Sequence, residues 1–288
     1  MTSPNLAHLF LGVTKSRCRR QPFASLVQIV GIVLFSALAG WAQVSGAAPK
    51  LVPYDDFSER FLNPAKWAPA SSCFAGGDLQ LECVREIQNK KLRLALRNFG
   101  ARDSNSGFQF GTHRLFFANP ASITSIRADI TYRDSFEIGC PDNSSGFGAG
   151  TSINGNFFNV GSGDPNDDIG AHLAFGHNLF DPPGQVNVFG QLSQGFNFFA
   201  FFSFGTTRVG SPVRAVLSWN QTKHQFVVNV TDLETGQVIG GAMPYSVSDT
   251  TAAAAPYRSF DISTFPNNCI ANPTAVYMDA LYDNVFVK

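Results

Sequence analysis

Short runs of alternating apolar and polar residues, separated by turn residues, recur through most of this chain of 288 residues. In residues 91–97 the side chains of Leu92, Leu94 and Leu96 alternate with charged or small ones, which is the period of a half-buried β-strand. Residues 126–132 repeat the alternation. Turn residues follow about every eight to twelve positions, and no long segment has a helical period. The pattern predicts an all-β fold, either an antiparallel two-sheet sandwich or a barrel.

The sequence closes with a segment rich in β-branched and aromatic residues, 275–288. A terminal strand frays unless a neighbouring strand pairs with it, and the best candidate for that partner is residues 51–57. We therefore expect the two segments to pair and to close the fold. Alternation predicts that Leu281, Asp283 and Val285 share one face of the last strand, which we expect to be the inner face.

Two other segments carry specific predictions. Residues 71–83 are expected to form a hairpin, because Gly76, Gly77 and Asp78 provide a turn between two extended runs. The run 196–204 contains six Phe in nine residues. Because both faces of such a strand would be apolar, it is predicted to be covered on both sides.

The first part of the sequence is typical of a secretory signal. Basic residues precede an almost wholly apolar run, 23–42, and small residues follow at 45–47. We predict cleavage after Ala47 or after Ala42. The alternative is an uncleaved anchor, since the apolar run is about as long as a membrane span. In either case the protein is expected to be exported, and it is then secreted and extracellular, or anchored in the membrane and facing outside.

We assign residues 1–47 to the signal peptide and residues 48–288 to a single domain, a length that suits one large β-domain. Without the four basic residues of the signal, 17 Lys and Arg remain against 21 Asp and Glu, a net charge of −4. That balance argues against nucleic acid and against an anionic membrane surface as partners. Membrane contact is expected only through the N-terminal segment, if it stays uncleaved.

Four of the five cysteines remain after cleavage, namely Cys73, Cys83, Cys140 and Cys269. An even number in an exported chain predicts two disulfides, for which three pairings are possible. We favour Cys73 with Cys83, across a short glycine turn, and Cys140 with Cys269. No pair has the short spacing and His neighbours of a zinc site.

Short motifs stand at 54–58 (Tyr-Asp-Asp-Phe-Ser), at 63–67 (Asn-Pro-Ala-Lys-Trp), in a hairpin at 213–219 and 226–229, and at 282–287 (Tyr-Asp-Asn-Val-Phe-Val). Together they resemble the concanavalin A-like lectin/glucanase superfamily. The resemblance implies an antiparallel two-sheet jelly-roll sandwich that binds sugars on its concave sheet. It therefore implies an extracellular or cell-wall polysaccharide as the partner.

The enzymes of that superfamily that resemble this chain most, the laminarinase/lichenase-type glucanases, carry two Glu around an Asp on a mid-chain strand. Residues 150–158 occupy that place here and contain no acid. We therefore expect a secreted, lectin-like carbohydrate-binding domain without catalytic activity. One alternative is a glycoside hydrolase with displaced carboxylates, for which Asp134 and Glu137 are weak candidates, as are Glu82 and Glu86. Another is an exported structural or adhesive domain.

In the same glucanases an Asp on the last strand helps to hold a structural calcium ion. Asp283 matches that position in the motif at 282–287. The resemblance therefore implies one structural calcium ion at Asp283. The alternative is that Asp283 caps backbone amides or pairs with an Arg.

A sugar site needs aromatic platforms and side-chain amides. The aromatic candidates are Trp67, Tyr132 and Tyr257, and the amide candidates are Asn154 and Asn156. We expect these five residues to line the ligand-binding face.

Overall fold

The structure is a computed structural model that describes residues 50–68, 73–75, 81–100, 110–140, 148–178, 181–195, 197–270 and 274–288. The predicted signal peptide lies outside these residues, so its cleavage and the boundary of the domain at residue 48 stay predictions. Among the described residues, no helix is long and apolar enough to cross a membrane.

The described residues form fifteen β-strands joined by turns and short 3-10 segments. In chain order the strands are β1 (Val52–Asp55), β2 (Cys73–Ala75), β3 (Leu81–Gln88), β4 (Lys91–Phe99), β5 (Gly111–Phe116), β6 (Ser125–Ile138), β7 (Ala149–Asn159), β8 (Asp168–His177), β9 (Gln185–Gln194), β10 (Asn197–Arg208), β11 (Pro212–Asn220), β12 (Gln225–Asp232), β13 (Val238–Pro244), β14 (Thr251–Thr264) and β15 (Ala275–Val287).

The strands form two antiparallel sheets. Sheet 1 has the order β13-β12-β11-β6-β15-β4-β3, and β1 pairs with the end of β15. Sheet 2 has the order β10-β9-β8-β7-β14-β5-β2. One hydrophobic cluster draws its buried side chains from both sheets, and Phe260 of sheet 2 stacks on Tyr282 of sheet 1 with ring centroids 4.7 Å apart. The predicted all-β, two-sheet antiparallel sandwich is confirmed.

Alternation along the central strands of sheet 1 produces its half of the core. Leu92, Leu94 and Leu96 of β4 are fully buried, as are Ile126 and Ile130 of β6. The sequence-based prediction of both inner faces is confirmed. Each fully buried Leu or Ile contributes about 1.5–3 kcal/mol by removal from water, so this two-residue period is the main local reason for the sandwich.

The predicted pairing of the two end segments is also confirmed. Val52 lies opposite Val287, and Asp55 lies opposite Val285. The predicted inner face of β15 is only partly right. Asn284 has a φ of 49°, and the pairing of β15 with β6 shifts its register between Asp283 and Phe286. This irregularity brings Val285 inward, whereas Asp283 lies on the opposite side of the strand from the fully buried Tyr282.

Two local predictions are wrong. Residues 73–75 and 81–88 do not form a hairpin, because β2 pairs with β5 in sheet 2 and β3 pairs with β4 in sheet 1. The Phe-rich strand β10 is not covered on both sides. It lies at the edge of sheet 2, and Phe198, Phe199 and Phe201 are 59%, 49% and 63% exposed.

The favoured disulfide pairing is confirmed. Cys73 is bonded to Cys83 and so joins β2 of sheet 2 to β3 of sheet 1. Cys140 is bonded to Cys269, which is 129 residues further along the chain. The first bond therefore links the two sheets, and the second links the segment after β6 to the segment between β14 and β15.

Candidate functional site on the outer face of sheet 2

The outer face of sheet 2 is the side turned away from the core, and register assigns its residues. Antiparallel partners point to the same side of a sheet, so residues paired in series form a row across the strands. The first row runs through Phe116, Ser259, Asn154, His172, Gln191 and Phe201. The second row runs through Arg114, Asp261, Ser152, Ala174, Phe189 and Ser203.

The neighbours of these residues along each strand show which side of the sheet the rows occupy. Ile153, Leu173, Phe260 and Leu115 alternate with the row residues and are at most 1% exposed in the core. The rows therefore lie on the outer side. The chain forms this face because small polar residues stand at alternate positions of β7 and β14, the two strands at the middle of the sheet.

Hydrogen bonds join the side chains at the centre of the face. The Ser259 hydroxyl donates to Asn154 Oδ1 at 3.0 Å, and Asn154 Nδ2 donates to the Ser152 hydroxyl at 3.2 Å. Arg114 Nε lies 2.8 Å from Asp261 Oδ2 in an ion pair. These contacts fix the orientation of the central polar groups before any ligand binds.

Aromatic rings stand on both flanks of the polar centre. On the β10 side, Phe189 stacks on Phe201 with ring centroids 5.1 Å apart, and Phe198 meets the His172 ring edge-on at 5.5 Å. On the β5 side, the Phe116 and Tyr257 rings are 6.0 Å apart. The face thus combines directional hydrogen-bonding groups with flat apolar surfaces.

Burial controls the ionisation of this face. Removal from water raises the pKa of Asp261, and the Arg114 charge lowers it by less. Burial, followed by the positive charge of Arg114, lowers the pKa of His172 to about 4, so its imidazole is neutral at pH 7. Burial also raises the pKa of Tyr257 to about 12.

The structure brings three of the five predicted ligand-binding residues to this face. Asn154 lies in the first row, and Tyr257 and Asn156 lie opposite each other in the adjacent row. Asn156 is partly exposed and donates to the Ala255 carbonyl at 3.4 Å. Asn154 is 1% exposed and is held by its serine neighbours.

The other two predicted platforms are corrected by the structure. Trp67 is 2% exposed, because its ring packs on Phe117 at 4.8 Å and its indole N–H donates to Asp55 at 2.6 Å. Tyr132 is also 2% exposed, and its hydroxyl donates to the Ala149 carbonyl at 3.4 Å. Both rings belong to the core and present no surface to a ligand.

The weak catalytic candidates do not converge. Asp134 and Glu137 both lie on β6. They are three positions apart and so point to opposite sides of the sheet, with Asp134 exposed and Glu137 facing the interior. Glu82 and Glu86 share one face of β3, but four residues of strand separate them by about 13 Å, which is too far for a retaining pair.

The metal candidate Asp283 lies outside these rows, on sheet 1. Its Oδ1 accepts from the Asn284 backbone N–H at 2.8 Å, and its pKa is raised chiefly by burial. Among the described residues, no three or more His, Cys, Asp or Glu side chains are grouped so as to hold a metal ion. The calcium ion stays a prediction.

A depression of about 570 Å³ lies on the outer face of sheet 1. Its lining includes Phe136, Arg93 and Arg97. Both arginines are already paired, Arg93 with Asp279 at 3.0 Å and Arg97 with Glu82.

Several residues of the site were not predicted from the sequence. They include Arg114, His172, Asp261 and the exposed rings of β10. Alternation within β5, β8 and β14 places Arg114, His172 and Asp261 on the side of each strand that faces away from the core. The sequence holds no signal for which strands are neighbours, so it could not assemble the rows.

No family model matches the sequence, and no curated protein is detectably similar to it. Solved structures of similar fold include lectin II from Ulex europaeus (12% identity, 76% of this chain, 95% of that chain, TM-score 0.33). They also include the winged bean acidic lectin complexed with methyl-α-D-galactose (12%, 76%, 99%, 0.36) and a Shewanella oneidensis protein of unknown function (11%, 76%, 78%, 0.37). By its own two sheets, their antiparallel register and their shared core, this chain is an all-β, two-sheet antiparallel sandwich.

Proposed function

We propose that the protein is an exported, lectin-like domain that binds a polysaccharide on the outer face of sheet 2. One observation carries the proposal, namely the partly exposed polar side chains of Ser152, Asn156, His172 and Gln191, which cross the strands beside the exposed rings of Phe198 and Phe201. A sugar presents hydroxyl groups around its edge and apolar C–H groups on its faces. Oriented polar groups beside flat rings match both features.

The same face favours binding over hydrolysis. A glycoside hydrolase needs two carboxyl groups, about 5–5.5 Å apart in retaining enzymes and about 6.5–9.5 Å apart in inverting ones. Within the two rows Asp261 is the one carboxylate. The exposed Phe198 and Phe201 also favour a ligand-binding face over a purely structural domain, because contiguous exposed aromatic surface on a monomer marks an interaction site.

The test is a glycan-array screen of residues 48–288, followed by titration of the tightest ligand against wild type and Phe201→Ala. Phe201 is 63% exposed, so its removal should leave the core intact. We expect affinity to fall about tenfold, equivalent to about 1.4 kcal/mol. Each measurement is made with calcium and with a chelator, which also tests the predicted calcium ion.

Phe136→Ala is the matched control, because Phe136 is 55% exposed on the outer face of sheet 1. Its affinity should equal that of wild type. Absence of signal on every glycan would refute the proposal. Release of reducing ends from a polysaccharide would instead support the hydrolase alternative.

A further inference from the structure

Two neighbouring polar side chains on the outer face of sheet 2 are open to solvent and uncommitted. His172 of β8 and Gln191 of β9 are both partly exposed and lie opposite each other in the first row. Among the residues that the structure describes, none makes a hydrogen bond with a ring nitrogen of His172 or with the Gln191 carboxamide, and none of these atoms is enclosed. Their hydrogen-bonding capacity is therefore available to a ligand.

Exposed aromatic rings border this polar pair. Phe201 is the partner of Gln191 on β10 and is 63% exposed. Phe198 is 59% exposed and meets the His172 ring edge-on, with ring centroids 5.5 Å apart. Phe189 holds Phe201 in place by stacking on it at 5.1 Å. A ligand that reaches the polar pair would therefore also lie against a flat apolar surface.

The surroundings of the pair carry no charge that a ligand could meet directly. Burial, followed by the Arg114 charge, lowers the pKa of His172 to about 4, so the imidazole is neutral at pH 7. Arg114 itself lies on β5, three strands from β8, and is ion-paired with Asp261. Alternate positions of β8 and β9 that share the side of the pair hold Gly170, Ala174, Asn187 and Phe189. Moving an ionised group from water to such a place is unfavourable, because no cation or anion compensates it.

We propose that His172 and Gln191 hydrogen-bond two neighbouring hydroxyl groups of an uncharged sugar, whose C–H face lies on Phe201. The inference rests on the proposed function, and it narrows the ligand to neutral glycans and the contact to the β8–β10 side of the sheet. A neutral imidazole and a carboxamide each offer a donor and an acceptor, so both can bond a hydroxyl group. Opposite residues on adjacent strands have Cβ atoms about 5 Å apart, which lets the two side chains converge on one sugar.

The experiment first compares two panels of oligosaccharides on the wild-type protein. The neutral panel contains cello-, laminari-, malto- and galacto-oligosaccharides, and the anionic panel contains oligogalacturonates and sulfated heparin fragments. We expect binding to the neutral panel and at least tenfold weaker binding to the anionic panel. The tightest neutral ligand is then titrated calorimetrically against two variants. His172→Phe keeps a ring beside Phe198 and removes both nitrogens, and Gln191→Met keeps the side-chain length and removes the carboxamide.

Each variant should weaken binding at least tenfold. The matched control is Gln185→Met, because Gln185 is exposed on the same face of β9, six positions and about 20 Å from Gln191. Its affinity should stay within twofold of wild type, and thermal unfolding checks the folding of all three variants. If His172→Phe does not fold, monodeoxy analogues of the ligand provide a further measurement. Removal of one particular hydroxyl should weaken binding to wild type at least tenfold and cause no further loss in Gln191→Met.

The outcomes separate the two proposals. Binding to neither panel refutes the carbohydrate-binding function itself, and the present inference with it. Wild-type affinity in folded Gln191→Met or His172→Phe, tolerance of every deoxy analogue, or preference for the anionic panel each overturns the assigned contact. In those cases the carbohydrate-binding function stands.

Discussion

Glu137 is a carboxyl group enclosed near the end of β6, with a side chain 7% exposed. Burial raises its pKa to about 7 from an ordinary 4.5, and the charge of Asp181 adds to the rise, although a hydrogen bond from the Ala149 backbone opposes it. His177 Nδ1 lies 3.7 Å from Glu137 Oε1. The folded state therefore holds a proton that the unfolded chain releases near pH 4.5.

This difference fixes the sign of a pH effect. The contribution of Glu137 to stability is highest below pH 4.5, falls as pH rises towards 7, and is absent above that pH. The pKa shift corresponds to about 3 kcal/mol. Glu137→Gln should remove that component, as measured by urea unfolding at pH 4.5 and pH 7.5. The control Glu82→Gln, at an exposed site, should follow wild type, and a Glu137→Gln protein with the wild-type pH profile would contradict the prediction.

Asn159 and Asn98 are both fully buried, but they differ in their hydrogen-bond partners. The Asn159 Oδ1 accepts from the backbone N–H groups of Gly161 and Gly163, each at 2.9 Å. Its Nδ2 donates to the Asp164 carbonyl at 2.8 Å and to Asp168 Oδ1 at 2.9 Å. Among the described residues, neither polar atom of the Asn98 side chain has a hydrogen-bond partner.

Matched alanine substitutions should expose this difference. Asn159→Ala removes four hydrogen bonds, leaves the Gly161 and Gly163 N–H groups without their acceptor, and should lower the free energy of unfolding by about 3 kcal/mol. Asn98→Ala breaks no protein hydrogen bond and should cost about 1 kcal/mol or less. Denaturant unfolding of both variants measures the effect, and equal losses would contradict the assigned networks.

Among the strands, β15 joins the two halves of sheet 1. It lies between β4 and β6, and its last residues also pair with β1. The Lys288 carbonyl accepts from the Thr124 backbone N–H at 2.7 Å, which ties the end of the strand to the start of β6.

Removal of residues 285–288 should therefore release β1 and expose Phe57 and Trp67 beneath it. We expect a loss of several kcal/mol in the free energy of unfolding, because Val285 and Val287 leave the core as well. Lys288→Ala keeps the backbone and should be neutral. Thermal unfolding measures both variants, and a truncated protein as stable as wild type would contradict the role of this pairing.

The strands that alternate cleanly, such as β4 and β6, could be predicted from the sequence because burial on one face leaves a two-residue period. The prediction that the run 196–204 is covered on both sides is wrong. Six Phe in nine residues are typical of a strand buried on both faces, whereas β10 is an edge strand whose outer face is aromatic. The prediction of Trp67 and Tyr132 on the ligand-binding face is wrong, because residue type alone does not distinguish an aromatic ring in the core from one that a ligand can contact. Arg114 and Asp261 meet only through strand pairing over 147 residues of sequence separation, which no local pattern encodes.

At the scale of the whole molecule, the two disulfides close loops of very different length. Cys73 and Cys83 are 10 residues apart, and Cys140 and Cys269 are 129 residues apart. In the chain-entropy model the longer loop restricts the unfolded chain more, giving about 5 kcal/mol against about 3 kcal/mol.

Replacing Cys140 and Cys269 together by serine should therefore lower the unfolding temperature more than replacing Cys73 and Cys83. Calorimetry of the two double variants, each with the other disulfide intact, measures the difference. A larger loss for the short loop would show that contacts at the edge of the sheets, and not loop length, dominate.

The place of β15 also determines when folding can finish. During synthesis, the ribosome has already made the strands on both sides of it, yet β4 and β6 remain apart until residues 275–287 emerge. A nascent chain shorter than this holds two half-sheets with no strand between them. Sheet 1 is thus completed only after residues 275–287 have been made, because β15 is the strand that joins its two halves.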